Sequence, residues 1–394
     1  MNRDFWLYLV SRFASGTAMT LLRAALAWHV FDLSHSAFSL GLVGLLQFGP
    51  VLLLNLFGGA VADSFDRRRV INAAQLLLLA CGAALLFGTR SGQASLTLLY
   101  AVAIGTATAG AFEAPARAAL LPTLVDREFF PRAVTLASTN QALAFASGPA
   151  VAGLVIAWAG IAAAYAAYVA LLLAAFLGVV ALRTGGGTPT KRALSLTAIA
   201  DGIRFVWRQP IILGCMSLDM FAVILGGATA LLPIYAQEIL RVGPKGYGLL
   251  TSSFEIGALA MSFVLVTRRP VREAGRTLLA TVIVFGLATI VFGFSRAFPL
   301  SLAAYFVAGM ADQVSVVMRA TAVQLSTPDE LRGRVSAINM IFIGASNQLG
   351  AAESGFLAHL TSPTFAVVSG GVGCLCVVAI VAWKLPELRG YRVA

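Results

Sequence analysis

Charge is what this chain has least of. Only 11% of its 394 residues are Asp, Glu, Lys or Arg, against roughly 25% in soluble domains. Hydrophobic residues make up 59%, and the mean hydropathy is +0.87. A water-soluble globular domain is excluded, and the chain reads as an integral membrane protein. Cysteine is scarce too: Cys81, Cys215, Cys374 and Cys376 all fall in apolar runs, without the spacing of a disulfide framework or a zinc site. The three histidines, His29, His35 and His359, are scattered, so no metal is expected. A nucleophile beside a base and a phosphate-cradling loop are missing as well, which argues against an enzyme and against any cofactor.

What fills the chain instead is a series of apolar runs of about 20 residues, each able to cross a hydrocarbon core of about 30 Å as a helix. Twelve can be laid out, at 6–31, 40–62, 70–89, 95–117, 134–158, 161–182, 211–237, 247–267, 277–295, 299–318, 335–358 and 364–384. With both termini on the cytoplasmic side, 23 of the 28 Lys and Arg lie on the inner face or at inner helix ends. Arg90, Arg241, Lys245 and Arg296 then lie outside, and Arg23 sits within the membrane. That asymmetry sets the orientation by the positive-inside rule. It also accounts for the net charge of +11 without a nucleic-acid partner.

The chain is built twice over. Arg117 and Arg319, Gly148 and Gly350, and Gly153 and Gly355 are each 202 residues apart, and a cluster of acids and bases precedes the helix in both copies. Asp126 to Arg132 forms one cluster, and Asp329, Glu330, Arg332 and Arg334 form the other. A polar stretch at 183–210 separates the copies. It opens with Thr184-Gly185-Gly186-Gly187-Thr188-Pro189-Thr190 and continues into Leu196, Ile199, Ile203 and Val206 at helical spacing, which predicts a helix lying in the cytoplasmic interface. The expected organisation is therefore 1–182 and 211–394 as two pseudo-symmetric six-helix bundles joined by 183–210. Duplication in an apolar chain points to a secondary transporter, whose halves rock about a site held between them.

After the second run comes Gly59-Ala60-Val61-Ala62-Asp63-Ser64-Phe65-Asp66-Arg67-Arg68-Arg69. This resembles the loop between helices two and three of the major facilitator superfamily, with Ser64 in place of a basic residue and Asp66 in place of a glycine. The resemblance implies the major facilitator fold and a cytoplasmic gate. Asp63, Arg67 and Arg68 would belong to that gate, with Glu113 placed to pair with Arg67 or, at i,i+4, with Arg117. The second half offers Asp312 as partner for Arg268 and Arg269, with Arg319 in the place of Arg117.

Gly148, Pro149 and Gly153 lie in a stretch similar to the glycine-proline motif of drug/proton antiporters, with Ala144 and Ala152 where that motif has glycines. Three further stretches resemble the exporter branch that includes macrolide efflux proteins and the enterobactin exporter: Phe112 to Arg117, Pro233 to Glu238, and Leu331 to Val335. Val102, three residues before Gly105, stands where many drug/proton antiporters carry an intramembrane Arg.

Ionisable side chains at membrane depth are costly and therefore functional candidates. Arg23 lies well inside the first run. Arg12 shares its face, eleven residues being close to three helical turns, and Asp219 occupies in the second half the place that Arg12 holds in the first. Glu255 falls near mid-depth and Glu353 in the outer third of its run. Together Arg23, Asp219, Glu255 and Glu353 are the expected substrate and proton-coupling residues. The expected activity is export of an amphipathic small molecule, a drug or siderophore-like compound, from the bacterial inner membrane. Protons are the expected coupling ion, lipid the surrounding partner and the monomer the working form. A nutrient or ion importer and a lysophospholipid flippase of the same fold are the alternatives.

Overall fold

The computed structural model describes residues 3–183, 203–267, 273–328 and 331–391. Within these, nothing is stated of the side chains at 56, 60, 63, 332–334 and 337. The side chain of Asp63 is therefore not described, and Arg268, Arg269, Asp329, Glu330 and most of the linker lie outside the described residues; 203–208 are helical. The apolar runs form helices throughout: α1 (Arg3–Ser34), α2 (Ala37–Ser64), α3 (Arg67–Arg90), α4 (Leu96–Leu120) and α5 (Phe130–Val180). They are followed by α6 (Pro210–Leu225), α7 (Gly243–Thr267), α8 (Ala274–Phe294), α9 (Phe298–Leu325), α10 (Arg332–Leu360), α11 (Pro363–Lys384) and the short α12 (Pro386–Gly390). Among the described residues there is no strand.

Among the described residues, nine helical segments are long and apolar enough to cross a membrane. The 51-residue α5 holds two of the twelve runs on either side of Gly160, whose φ of 79° breaks the helix. Such a left-handed backbone is open to glycine without the Cβ penalty other residues meet. The seventh run is not one smooth helix either. Beyond Leu225 it passes through a 3₁₀ turn at Ala228–Leu231, a turn at Leu232–Ile234 and a π-helical turn at Tyr235–Ile239. Large apolar side chains point outward along these helices, with Phe87, Trp158, Phe263, Val266 and Trp383 each more than 70% exposed. In water such a surface would be untenable; against lipid it is the expected exterior. The protein is an all-α, multi-pass membrane protein.

Packing divides the chain into two compact units. Unit 1 comprises Met1–His35, Leu46–Ala193 and Gly243–Ser252; unit 2 comprises Ser36–Leu45, Leu194–Val242 and Ser253–Ala394. Each unit thus includes about ten residues from the start of a helix, α7 or α2, that continues in the other.

Within unit 1, α1 lies along α5. Ser11 Oγ donates to the Ala175 carbonyl at 2.8 Å and Asn140 Nδ2 to the Leu9 carbonyl at 2.9 Å. The unit 1 core gathers Phe5, Tyr8, Ile71, Ala116, Leu120 and Val179, all fully buried. Unit 2 has its own core, in which Ile212, Cys215, Leu218, Cys374 and Leu388 are at most 1% exposed. Small residues permit close approach where lipid gives no hydrophobic drive for helices to associate. A methyl added at Gly153 would sit 2.6 Å from the Pro244 carbonyl oxygen and 2.7 Å from Gly248 Cα, so α5 and the start of α7 meet glycine to glycine.

Candidate functional site

Each unit encloses one arginine from the duplicated pair, and the two are neutralised differently. In unit 1, Arg117 on α4 donates through Nε to Glu113 Oε1 at 2.7 Å, one turn earlier on the same helix. The same oxygen accepts from Ser15 Oγ on α1 at 3.0 Å and from Gln75 Nε2 on α3 at 3.2 Å. The remaining guanidinium nitrogens of Arg117 reach Ser11 Oγ at 3.3 and 3.4 Å. Tyr8 extends the network: its hydroxyl donates to the Arg117 carbonyl at 3.2 Å and accepts from Arg12 Nη1 at 2.9 Å. All but Arg12 are buried. Such a cluster is stable in a low-dielectric interior because the charges are opposed and hydrogen-bonded on several sides.

In unit 2, Arg319 on α9 forms its ion pair with Asp219 on α6, between side chains 5% and 11% exposed. Here the acid and base tie two helices together. The glycines fix how the two arrangements correspond. Gly148 abuts Thr17 and Thr20 on α1, while Gly350 abuts Ile224 near the end of α6 and Gly227 just beyond it. Thr17 and Ile224, Thr20 and Gly227, and Arg12 and Asp219 are each 207 residues apart, so Asp219 stands where unit 1 holds Arg12. Ser315, 202 residues after Glu113, stands where unit 1 holds its acid.

A cavity of about 20 Å³ opens beside the unit 2 ion pair, lined by Asp219, Thr281, Asp312 and Ser315 with apolar neighbours that include Val223 and Phe285. That is room for a single water. Glu255 on α7 lies within electrostatic reach of Asp312. Its helix is drawn close because Gly309 on α9 meets the Phe254 backbone and Gly257 meets that of Phe306. Tyr305, on α9 and 5% exposed, shares a 2.7 Å hydrogen bond with Thr229.

The other expected residues are dispersed. Arg23 is exposed and makes no ion pair among the described residues. Glu353 is half-buried and accepts from Ser354 Oγ at 3.2 Å. Arg67 is half-buried, and Arg68 donates to the Val180 carbonyl at 3.2 Å. Asp66, the residue that departs from the loop motif, caps α3 by accepting from the backbone N–H groups of Arg68 and Arg69. Gly148, Pro149 and Gly153 are buried contact points, Gly148 facing α1 and the other two facing Pro244 and Gly248. Residues expected at the gate and at the coupling site are thus joined in one pair, Arg319 with Asp219. Sequence reading passed over Ser11, Ser15, Gln75 and Tyr305. Gln75, fully buried in the apolar run of α3, was the available signal.

Comparison with known proteins gives this geometry a family. Residues 3–391 match the family model described as transmembrane secretion effector. The enterobactin exporter EntS of Shigella boydii serotype 18 is 25% identical, over 100% of this chain and 97% of its own length. EntS of Escherichia coli O1:K1 / APEC is 24% identical over the same shares. Among solved structures, a POT family transporter in complex with 5-aminolevulinic acid superposes with a TM-score of 0.76 at 11% identity, covering 98% of this chain and 97% of that one. The nucleoside transporter NupG superposes with a TM-score of 0.74 at 13% identity, covering 98% and 100%. The chain belongs to the transmembrane secretion effector family and is a transporter with the major facilitator fold.

Proposed function

We propose that the protein exports an amphipathic small molecule, a drug or siderophore-like compound, across a bacterial inner membrane by alternating access in exchange for protons. The single observation that carries export is the end-to-end similarity to enterobactin exporters, together with a family description that names secretion. Residues 1–182 and 211–394 are the halves that alternate, 183–210 links them, and both termini are cytoplasmic. The unit works as a monomer in lipid. Asp63, Arg67, Arg68, Glu113, Arg117 and Arg319 stabilise the cytoplasmic closure, directly or by holding the helices that carry it.

Arg23 favours an anionic cargo. A guanidinium that is exposed on a membrane-spanning helix, with no ion-pair partner among the described residues, attracts negative charge strongly wherever the dielectric is low. A catecholate siderophore meets that requirement better than a lipophilic cation. Proton exchange requires an acid whose charged form is costly when sealed off and tolerable when hydrated, and the carboxylates Asp219, Glu255 and Glu353 are its candidates.

Purified protein in proteoliposomes, given an iron-free tricatecholate or a cationic dye and an imposed pH step, tests the reading. Catecholate should move against its gradient in the direction opposite to proton flow. Arg23→Ala should reduce catecholate flux about tenfold, equivalent to about 1.4 kcal/mol, while sparing the dye. Flux in the same direction as protons would replace export with import. Equal loss for both cargoes would make Arg23 structural.

A further inference from the structure

Tyr305, Asp312 and Arg319 are seven residues apart in turn, so they lie on one face of α9, about 10 Å separating each from the next. Asp312 is the middle one. It is fourteen residues from the start of a 28-residue helix, which puts it near mid-span. On α6 the facing charge is Asp219, already committed to Arg319, with Cys215 buried nearby. On α7 it is Glu255. From α8 comes the hydroxyl of Thr281, and α9 itself adds Ser315. Among the described residues Asp312 has no hydrogen bond and no ion pair, yet it borders the small cavity with Asp219, Thr281 and Ser315.

Among the described residues, Asp219 and Glu255 face this side of α9 beside Asp312, and the guanidinium of Arg319 is committed to Asp219. A bare carboxylate near mid-membrane costs several kcal/mol unless it finds a partner or a proton. Two acids in one another's field do not both ionise readily. The cavity supplies what a proton-exchanging acid also needs, a place for a water to deliver and remove the proton.

We propose that Asp312 is the proton-binding residue of unit 2, and that the Asp219–Arg319 ion pair is its fixed electrostatic support. The proton adds to an Asp312 carboxylate oxygen from water, and the same O–H bond breaks when the proton returns to water, with no other bond changed. This rests on the proposed proton-coupled reading, in which Asp219 had been a candidate for that role.

Infrared difference spectra of the purified protein, taken as the pH is raised from about 5 to about 9, read the site without any cargo. Wild type should lose a protonated-carboxyl C=O band over this interval. The band should be absent from Asp312→Asn and shifted in Asp312→Glu. Persistence of the band in Asp312→Asn, or its disappearance from Glu255→Gln instead, would overturn the assignment. Misfolding of Asp312→Asn would not hide the answer, since the shift in Asp312→Glu alone identifies the residue. In proteoliposomes, Asp312→Asn should abolish uphill flux and retain downhill exchange. If wild type shows the band but no proton-driven flux, the transport reading fails while the proton site stands.

Discussion

Arg117 and Arg319 descend to the same position in two copies of one helix, yet unit 1 neutralises its arginine from within the helix and unit 2 from across a helix interface. Glu113 is one turn from Arg117, and two other helices, α1 and α3, contribute only neutral hydrogen-bonding groups to the pair. Asp219 comes from a separate helix, so the ion pair of unit 2 doubles as a clamp between α6 and α9. A duplicated scaffold thus keeps the position of a buried charge while its counter-charge migrates. The requirement is that the guanidinium be paired. The helix that supplies the partner is free to change.

The largest consequence should follow from breaking the clamp. Asp219→Asn leaves a buried guanidinium uncompensated, which costs about 3–5 kcal/mol. Glu113→Gln keeps an acceptor for Ser15 and leaves the Ser11 contact intact, so about 2 kcal/mol is expected. Thermal unfolding in detergent compares the two. Equal losses would erase the contrast between the units. Moving the acid sharpens it: Asp219→Ser combined with Ser315→Glu places a carboxylate one turn before Arg319, as in unit 1. The double variant should recover more than half of the stability lost in Asp219→Ser. No recovery would show that the tie between helices matters more than the charge.

Smaller effects test the contacts around this pair of arrangements. Gly153→Val should cost about 1–3 kcal/mol through overpacking, since its Cβ has no room against Pro244 and Gly248. Gly355→Val should behave alike, because Gly355 meets Gly41 at the corresponding contact of unit 2. A harmless substitution at one and a damaging one at the other would mean that the copies have diverged here as well. Asp66→Ala removes only an N-cap, worth about 1 kcal/mol. It should lower the unfolding temperature slightly and leave the Arg117 network unaltered, as measured by the separate effect of Glu113→Gln in that background.

The helices were legible because apolar runs long enough to span lipid have no other stable form, every backbone group needing an internal partner. The 202-residue repeat and the four-residue spacing of Glu113 and Arg117 were legible too, since both are properties of the sequence alone. The correspondence of Asp219 with Arg12 could be read from position. Its pairing with Arg319 could not, because about a hundred residues of sequence separate two helices whose mutual rotation is set by packing. Ser11, Ser15 and Gln75 escaped for a related reason: neutral polar residues in a membrane helix gain meaning only when something charged is found beside them. The alignment of Tyr305, Asp312 and Arg319 was present in the spacing. Nothing in the spacing alone distinguished it from chance.

The migrated counter-charge also restricts how such a gene can be reshuffled. If α9 were recombined into the place of α4, Arg319 would arrive without Glu113 and would face Arg12 where it now meets Asp219. The reverse exchange would bring Glu113 and Asp219 to one guanidinium. Each crossover creates a charge imbalance that neither parent half contains, so the two copies, though alike in backbone, are no longer interchangeable parts, and gene conversion between them is penalised at this helix.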